Sequence, residues 1–219
     1  MTEIFLAGAS RGVGREIAKI LTAQGIHVVA LLRSESARPD LEALGVAVAI
    51  GDALDADAIT SLVAKPFDAV ISTLGGKPTD SERADFKGNR NLIDAAVKAG
   101  VKRFILVSSI GTGESAAALP PQALETLGPV LAEKEQAENH LTASGLTYTI
   151  IRPGGLKSEP PKGSAVLTEN PTIAGSIHRA DVAHLVVRSL ASDRARNKIL
   201  SAVDRTLLFG QPEFQDFAL

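Results

Sequence analysis

Short runs of Val, Ile, Leu and Ala alternate along the chain with amphipathic segments. Seven runs read as strands: EIFLAG (3–8), HVVALLR (27–33), VAVAIG (46–51), DAVISTLG (68–75), RFILVSS (103–109), LTYTIIRP (146–153) and KILSAV (198–203). Most are apolar almost without interruption, which is how a strand buried on both faces reads. Between them the pattern predicts helices near 12–24, 55–64, 81–99, 130–144 and 180–191. Gly100 and Gly145 stand where two of these should end, and Asp181 can cap the last. The alternation predicts an α/β fold. It should be a three-layer, doubly wound Rossmann fold with a mostly parallel sheet of about seven strands flanked by helices, one domain over 1–219. Two irregular stretches, 110–129 and 154–175, follow the fifth and sixth strands at the carboxyl edge of the sheet. Both are expected to border one substrate pocket.

Composition narrows the class. The chain of 219 residues is 45% hydrophobic and 22% charged, enough apolar material for a substantial core. A net charge of −2 gives no basic footprint for nucleic acid or for a membrane surface. No apolar run is long enough to be a signal segment or to span a bilayer. There are no cysteines, which excludes disulfides and thiolate-held metals. The four histidines show no ligand spacing, so no metal is expected. A cytoplasmic protein, monomeric or a small homo-oligomer, fits these features.

The stretch GASRGVGREI (8–17) joins the first strand to the first helix. Gly8 ends the strand; Gly12 and Gly14 open the helix. Glycines let the backbone turn sharply and approach a pyrophosphate, whose charge rests on the exposed amides of the helix N-terminus. In this strand–turn–helix setting the loop reads as nucleotide-binding, with Ser10, Arg11 and Val13 among the contacts. Cofactor choice is read at the end of the second strand, where NAD-binding units place an acid on the ribose 2′-hydroxyl. Here the chain has LLRSES, with Arg33 about 20 residues after the loop. A guanidinium suits a 2′-phosphate, so NADP(H) is expected over NAD(H). Arg11 can approach the same phosphate and Ser34 can add a hydroxyl. The plain alternative is that Arg33 is a solvated strand-end arginine.

Three further strand ends should meet the cofactor. In GDALD (51–55), Asp52 can accept from the adenine amino group, with Ala53 beside it; Asp52 or, better placed, Asp55 can instead cap the next helix. In STLGG (72–76), Thr73, Leu74 and Gly75 permit close approach to ribose and diphosphate. In VSSIG (107–111), Ser108 and Ser109 should sit near the nicotinamide. Pro153, Gly154, Gly155 and Leu156, after the sixth strand, complete the candidate set.

These segments, with DFKGNRNLIDAAVKAGVKRFILVSSIG (85–111), SGLTYTIIRPGGL (144–156) and IHRADVAHLVVRSL (177–190), resemble the short-chain dehydrogenase/reductase superfamily in its atypical or extended NAD(P)-binding branch. The resemblance covers nearly the whole chain. The glycine loop itself is spelled as in the standard NADP-dependent reductases. The resemblance implies a catalytic Y-x-x-x-K pair on the helix after strand five. There the Tyr gives its proton to a carbonyl oxygen and the Lys binds the nicotinamide ribose. This chain reads VLAEK (130–134): Lys134 matches the lysine, but Val130 stands where the tyrosine would be. The single tyrosine, Tyr148, falls in the sixth strand. Ser109 matches the superfamily's catalytic serine, so the candidate catalytic residues are Ser109 and Lys134. The plain alternatives are a capping serine and a solvated lysine paired with Glu138. Against the latter, Lys134 shares a helical stripe with Leu131 and Leu141.

A tyrosine acid is needed where hydride arrival builds charge on a carbonyl oxygen. Flavins, quinones and linear tetrapyrroles delocalise that charge and can take a proton from water. The expected function is therefore an NADPH-dependent oxidoreductase with a small, flat, conjugated acceptor. The pattern resembles the flavin reductase/biliverdin reductase B type, which shares the arginine after strand two, the serine, the missing tyrosine and a proline pair, here Pro120-Pro121. A non-catalytic NADP(H) sensor or assembly protein is the alternative. It draws on a tail (204–219) holding Phe209, Phe214 and Phe217, which either packs back on the core or docks on another chain. An epimerase or dehydratase ranks last, lacking the tyrosine and carrying Arg33.

Overall fold

The computed structural model describes residues 2–65, 67–76, 82–210 and 212–219. The strands are β1 (Glu3–Ala7), β2 (His27–Leu32), β3 (Ala47–Ile50), β4 (Ala69–Ser72), β5 (Phe104–Val107), β6 (Tyr148–Pro153), β7 (Gly155–Lys157), β8 (Ala165–Thr168), β9 (Ser176–His178) and β10 (Lys198–Asp204). Eight of them form one sheet in the order β3-β2-β1-β4-β5-β6-β10-β8, parallel except for the β8–β10 pair. The helices are α1 (Gly12–Ala23), α2 (Arg38–Glu42), α3 (Ala56–Leu62), α4 (Lys87–Lys98), α5 (Pro121–Ala143) and α6 (Arg179–Ala191). From β1 the chain winds outward to β2 and β3, then crosses back to β4. The strand order therefore reverses between β1 and β4, where open α/β sheets form their ligand crevice.

The uninterrupted apolar strands are explained by two cores. On β1, Ile4 and Leu6 face one core with α1 and α6, while Phe5 and Ala7 face the other with α3, α4 and α5. Alternate side chains thus serve opposite layers, and every position must be apolar. Gly100 and Gly145 follow α4 and α5 with φ of +69° and +81°, the left-handed turn that ends a helix cheaply only at glycine. Asp55 caps α3, accepting from the Asp57 and Ala58 amides at 3.1 and 3.0 Å.

Four expectations are corrected. The stretch 110–129 is not all loop: α5 begins at Pro121 and runs through Pro129. Pro121 sits at the helix start, where its missing N–H is no loss, and Pro129 removes one hydrogen bond from a helix otherwise anchored by Leu131, Ala137 and Leu141. The stretch 154–175 contains β7 and β8; with β9 they raise the strand count. These are short and broken by Gly and Pro, and they exist only through distant partners, β9 for β7 and β10 for β8. The helix expected over 81–99 starts at Lys87, residue 81 lying outside the described residues. Finally, Asp181 does not cap α6: His178 holds that position, and Asp181 is buried inside the first turn.

Buried polar contacts lock the layers together. Glu138 of α5 accepts two bonds from Arg152 of β6, at 3.1 and 2.6 Å. Arg103, just before β5, donates to the Tyr148 carbonyl, the Thr149 hydroxyl and the Ser189 carbonyl. Burial, with the nearby Arg196 charge, pulls its guanidinium down to about 10. Although no sequence spacing announces it, the fold gathers His178, Asp181 and Asp204. His178 Nδ1 lies 3.6 Å from Asp181 and 3.5 Å from Asp204. One imidazole nitrogen and two carboxylates are a donor set whose charge a divalent cation matches. The tail packs back: Phe214 meets the small core around Ile110 and Val203, and Phe217 and Leu219 lie on the α1/α6 core. The Phe217 amide donates to the Leu167 carbonyl of β8 at 2.7 Å.

Two predictions follow from these contacts. Phe217→Ala should lower stability by on the order of 1–2 kcal/mol, read as a lower urea midpoint with unchanged sedimentation mass. The second concerns acid. Burial opposes ionisation of Asp204, but bonds from Ser164 Oγ and from the Thr206 hydroxyl and amide outweigh it and hold the carboxyl below the ordinary 3.8. A lowered folded pKa contributes stability above the ordinary value and loses it as pH falls through the folded one. Asp204→Asn should therefore melt well below the wild type at pH 7, and the gap should close as the pH drops below 3.8. A gap that stays constant down to acid unfolding would refute this.

Candidate active site

A cavity of about 680 Å³ opens at the strand-order reversal. The turns after β1 to β5 wall it, together with Lys134 of α5, Leu156 of β7 and Arg179 of α6.

Its floor is the glycine turn. Gly8 and Gly12 have φ of +90° and +59°, so the chain needs glycine to make this bend. A Cβ on Gly8 would lie 2.3 Å from Thr73 Oγ1, and one on Gly14 would lie 2.3 Å from the Gly8 carbonyl oxygen. Helix α1 therefore rests directly on the end of β1. Its cap residue, Arg11, makes no side-chain cap bond, and the first turn carries no acid. The first-turn amides at Gly12 and Val13 line the cavity with no carboxylate of the helix to occupy them, as an anion cradle requires.

One end of the cavity is bordered by Ser10 and Arg11 from this turn and by Arg33 and Ser34 after β2. Ser34 Oγ lies 3.0 Å from Ser36 Oγ. Asp52 and Ala53 form the wall after β3. Asp52 Oδ1 accepts from the Leu54 amide at 2.9 Å, so this carboxylate shapes its own turn while lining the cavity. Asn91 of α4 holds the Ala53 carbonyl at 2.9 Å.

The other end is built around a buried carboxylate. Asp85, 1% exposed, accepts from the Gly76 amide and from Arg83 Nη2, both at 2.7 Å, through one oxygen. Its other oxygen is 3.0 Å from Lys134 Nζ. Lys134 thus turns inward, and Glu138, its supposed surface partner, belongs to Arg152. Asn89 bonds the Asp85 carbonyl at 2.8 Å and Ser72 Oγ at 2.6 Å, tying this bend to β4. Thr73, Leu74 and Gly75 line the wall between. Ser108 and Ser109 close it from β5. Ser108 Oγ is buried without a protein partner among the described residues, and Ser109 Oγ donates to the Ile110 carbonyl at 2.9 Å. No tyrosine lines the cavity: Tyr148 lies on β6, outside its walls, and Val130 stands one turn before Lys134, also outside them.

Four expected contacts are corrected. Gly14 is consumed by packing against Gly8. Pro153 is buried in β6, its carbonyl accepting from the Ile110 amide. A Cβ on Gly154 would strike the Gly175 carbonyl at 2.2 Å, and Gly155 pairs with Ser176 as β7 meets β9. These three build the wall behind the cavity, where Leu156 alone reaches its surface. Conversely, Asp85, Arg83 and Arg179 were not singled out, although they lie in or beside the strings DFKGNRN and RADVA. Asp85 read as helix, and Arg179 becomes a cavity residue only when α6 is folded against α1.

Among the described residues, four cationic side chains line the cavity, Arg11, Arg33, Lys134 and Arg179, against two carboxylates, Asp52 and Glu82. Cradle, volume and charge balance fit a dinucleotide.

The comparisons agree with this geometry. A family model described as NAD(P)H-binding matches residues 8–193. The solved structure of ChuY, an anaerobilin reductase from Escherichia coli O157:H7, superposes with a TM-score of 0.84 at 36% identity, covering 93% of this chain and 97% of that one. YhfK of Bacillus subtilis (strain 168), described as an uncharacterised sugar epimerase, is 35% identical over 90% of this chain and 91% of its own. Sanguinarine reductase of Eschscholzia californica is 38% identical over 53% of this chain and 44% of its own. On the family match, the ChuY likeness and the glycine cradle together, the chain belongs to the NAD(P)H-binding family, as an atypical short-chain dehydrogenase/reductase.

Proposed function

We propose that the protein is an NADPH-dependent reductase whose acceptor is a flat conjugated molecule: a flavin, a biliverdin-like tetrapyrrole or a quinone. One observation carries the reading. The cavity offers a hydroxyl, Ser109, and an ammonium, Lys134, but no phenol. The bound nicotinamide supplies a hydride.

The chain's own residues do the rest. The α1 amides and the Gly8–Gly12 turn receive the diphosphate. Arg33 and Arg11 take the 2′-phosphate, a dianion that a guanidinium fork binds in two places. Asp52 takes the adenine amino group. Lys134 holds the nicotinamide ribose, and the Asp85 carboxylate fixes its ammonium and balances its charge. Ser109 turns its hydroxyl from the Ile110 carbonyl to the acceptor. With no phenol to protonate the acceptor, the site works by alignment and by excluding one face from water. An acceptor that spreads charge over a conjugated system suits such a site; a simple carbonyl does not.

ChuY and sanguinarine reductase, both named as reductases, support this class. An epimerase reading finds no tyrosine at the cavity, since Tyr148 lies outside the walls. A sensor or assembly role keeps one exposed aromatic, Phe209, because Phe214 and Phe217 pack on their own chain.

The direct test mixes the protein with NADPH and, in turn, FMN, biliverdin and a quinone, and follows the cofactor absorbance. Consumption with at least one is expected; none with any of them refutes the reductase. Arg33→Ala should weaken NADPH by about 1.5–3 kcal/mol and leave NADH unchanged. Equal losses would show that Arg33 does not read the 2′-phosphate. Lys134→Ala should raise the KM for NADPH about ten-fold or more and, because it strips buried Asp85 of its lysine, also lower the melting temperature. A shift in kcat alone would speak against a ribose contact.

A further inference from the structure

Arg179 opens α6, yet its side chain reaches across the cavity to the start of α1. Its Nε and Cδ lie 3.7 and 3.8 Å from where a Gly12 Cβ would stand. Nη1 donates to the Leu156 carbonyl at 3.2 Å and to Ser158 Oγ at 2.8 Å. No carboxylate pairs with this guanidinium among the described residues. An arginine carries five N–H donors in a rigid plane. Here one nitrogen is spent on the β7 segment, while Nε, the polar atom nearest Gly12, has no protein partner among the described residues. The helix dipole and free amides of α1 already make that spot a seat for an anion.

We propose that Arg179 clamps the dinucleotide diphosphate against the α1 N-terminus and, through Nη1, couples cofactor binding to the segment 155–158. The inference rests on the nucleotide-binding reading above. It adds a residue distant in sequence from the glycine turn and gives it a second task. The diphosphate is common to NADPH and NADH, so this clamp is blind to the 2′-phosphate. Arg33 selects between the cofactors; Arg179 strengthens both. A guanidinium held by Leu156 and Ser158 on one edge and by phosphate oxygens on the other also ties the wall carrying Leu156 to the occupied cofactor site. The cofactor should therefore bind first and order the acceptor side.

The test is calorimetric titration of the full chain with NADPH and with NADH, for wild type, Arg179→Met and Arg179→Lys. The Met variant should weaken both dinucleotides about ten-fold or more and by the same factor. The Lys variant, which keeps the charge without the fork, should fall between; it carries the test if the Met variant melts early. Hydrogen exchange supplies a second readout: NADP⁺ should slow exchange over 155–158 in the wild type and not in Arg179→Met. Wild-type affinity for both dinucleotides in a folded variant overturns the clamp, as does a loss confined to NADPH. Unchanged protection of 155–158 in the variant overturns the coupling. A wild type that binds neither dinucleotide instead overturns the underlying cofactor reading.

Discussion

The contact on which the site depends is backbone against backbone. The first turn of α1 lies so close to the end of β1 that no side chain fits between Gly14 and the Gly8 carbonyl, and Thr73 of the neighbouring strand end closes on Gly8. That closeness points the helix amides into the crevice at the strand-order reversal. A β-carbon at Gly8 or Gly14 would push the helix off the sheet and dissolve the cradle. The remaining pieces are arranged around this fixed point: the arginines at one end, and the Asp85–Lys134 pair at the other.

The two ends are held by different physics. At the arginine end, Arg11 and Arg33 are exposed side chains on turns, and their charge is screened by water. At the other end, charge is embedded. Asp85 is buried, hydrogen-bonded through one oxygen to an amide and an arginine and paired through the other with a lysine, with Asn89 fixing its backbone. Breaking such a cluster strands its partners, so geometry there is stiff. The cavity thereby combines an exposed, adaptable end with a buried, stiff one.

Much of this was legible in the sequence because it is local. The parallel strands announce themselves through continuous apolar runs, and the glycine turn and Arg33 through spacing alone. What stayed hidden is what distant segments decide together. β7 and β8 fall in the stretch that reads as irregular because a three- or four-residue strand has no periodicity to show; only the pairing of β7 with β9 and of β8 with β10 makes them strands. The stretch up to residue 129 reads as irregular, yet α5 runs through Pro129 because the buried stripe beyond it carries the helix. Asp85 falls inside the helix expected over 81–99. It stops short of one because its carboxylate is engaged by Gly76, nine residues back, and by Lys134 from another layer.

The two rims of the large sheet are unequal. The outer backbone of β8 is already partly taken, since the final residues of the chain run alongside it and the Phe217 amide is bonded to Leu167. The opposite rim, β3, is bare but only four residues long, Ala-Val-Ala-Ile. Fibril-forming contacts need stretches of roughly six or seven residues in register. Neither rim offers one, so the protein carries its own protection against strand-by-strand aggregation without spending a single charged residue inside β3.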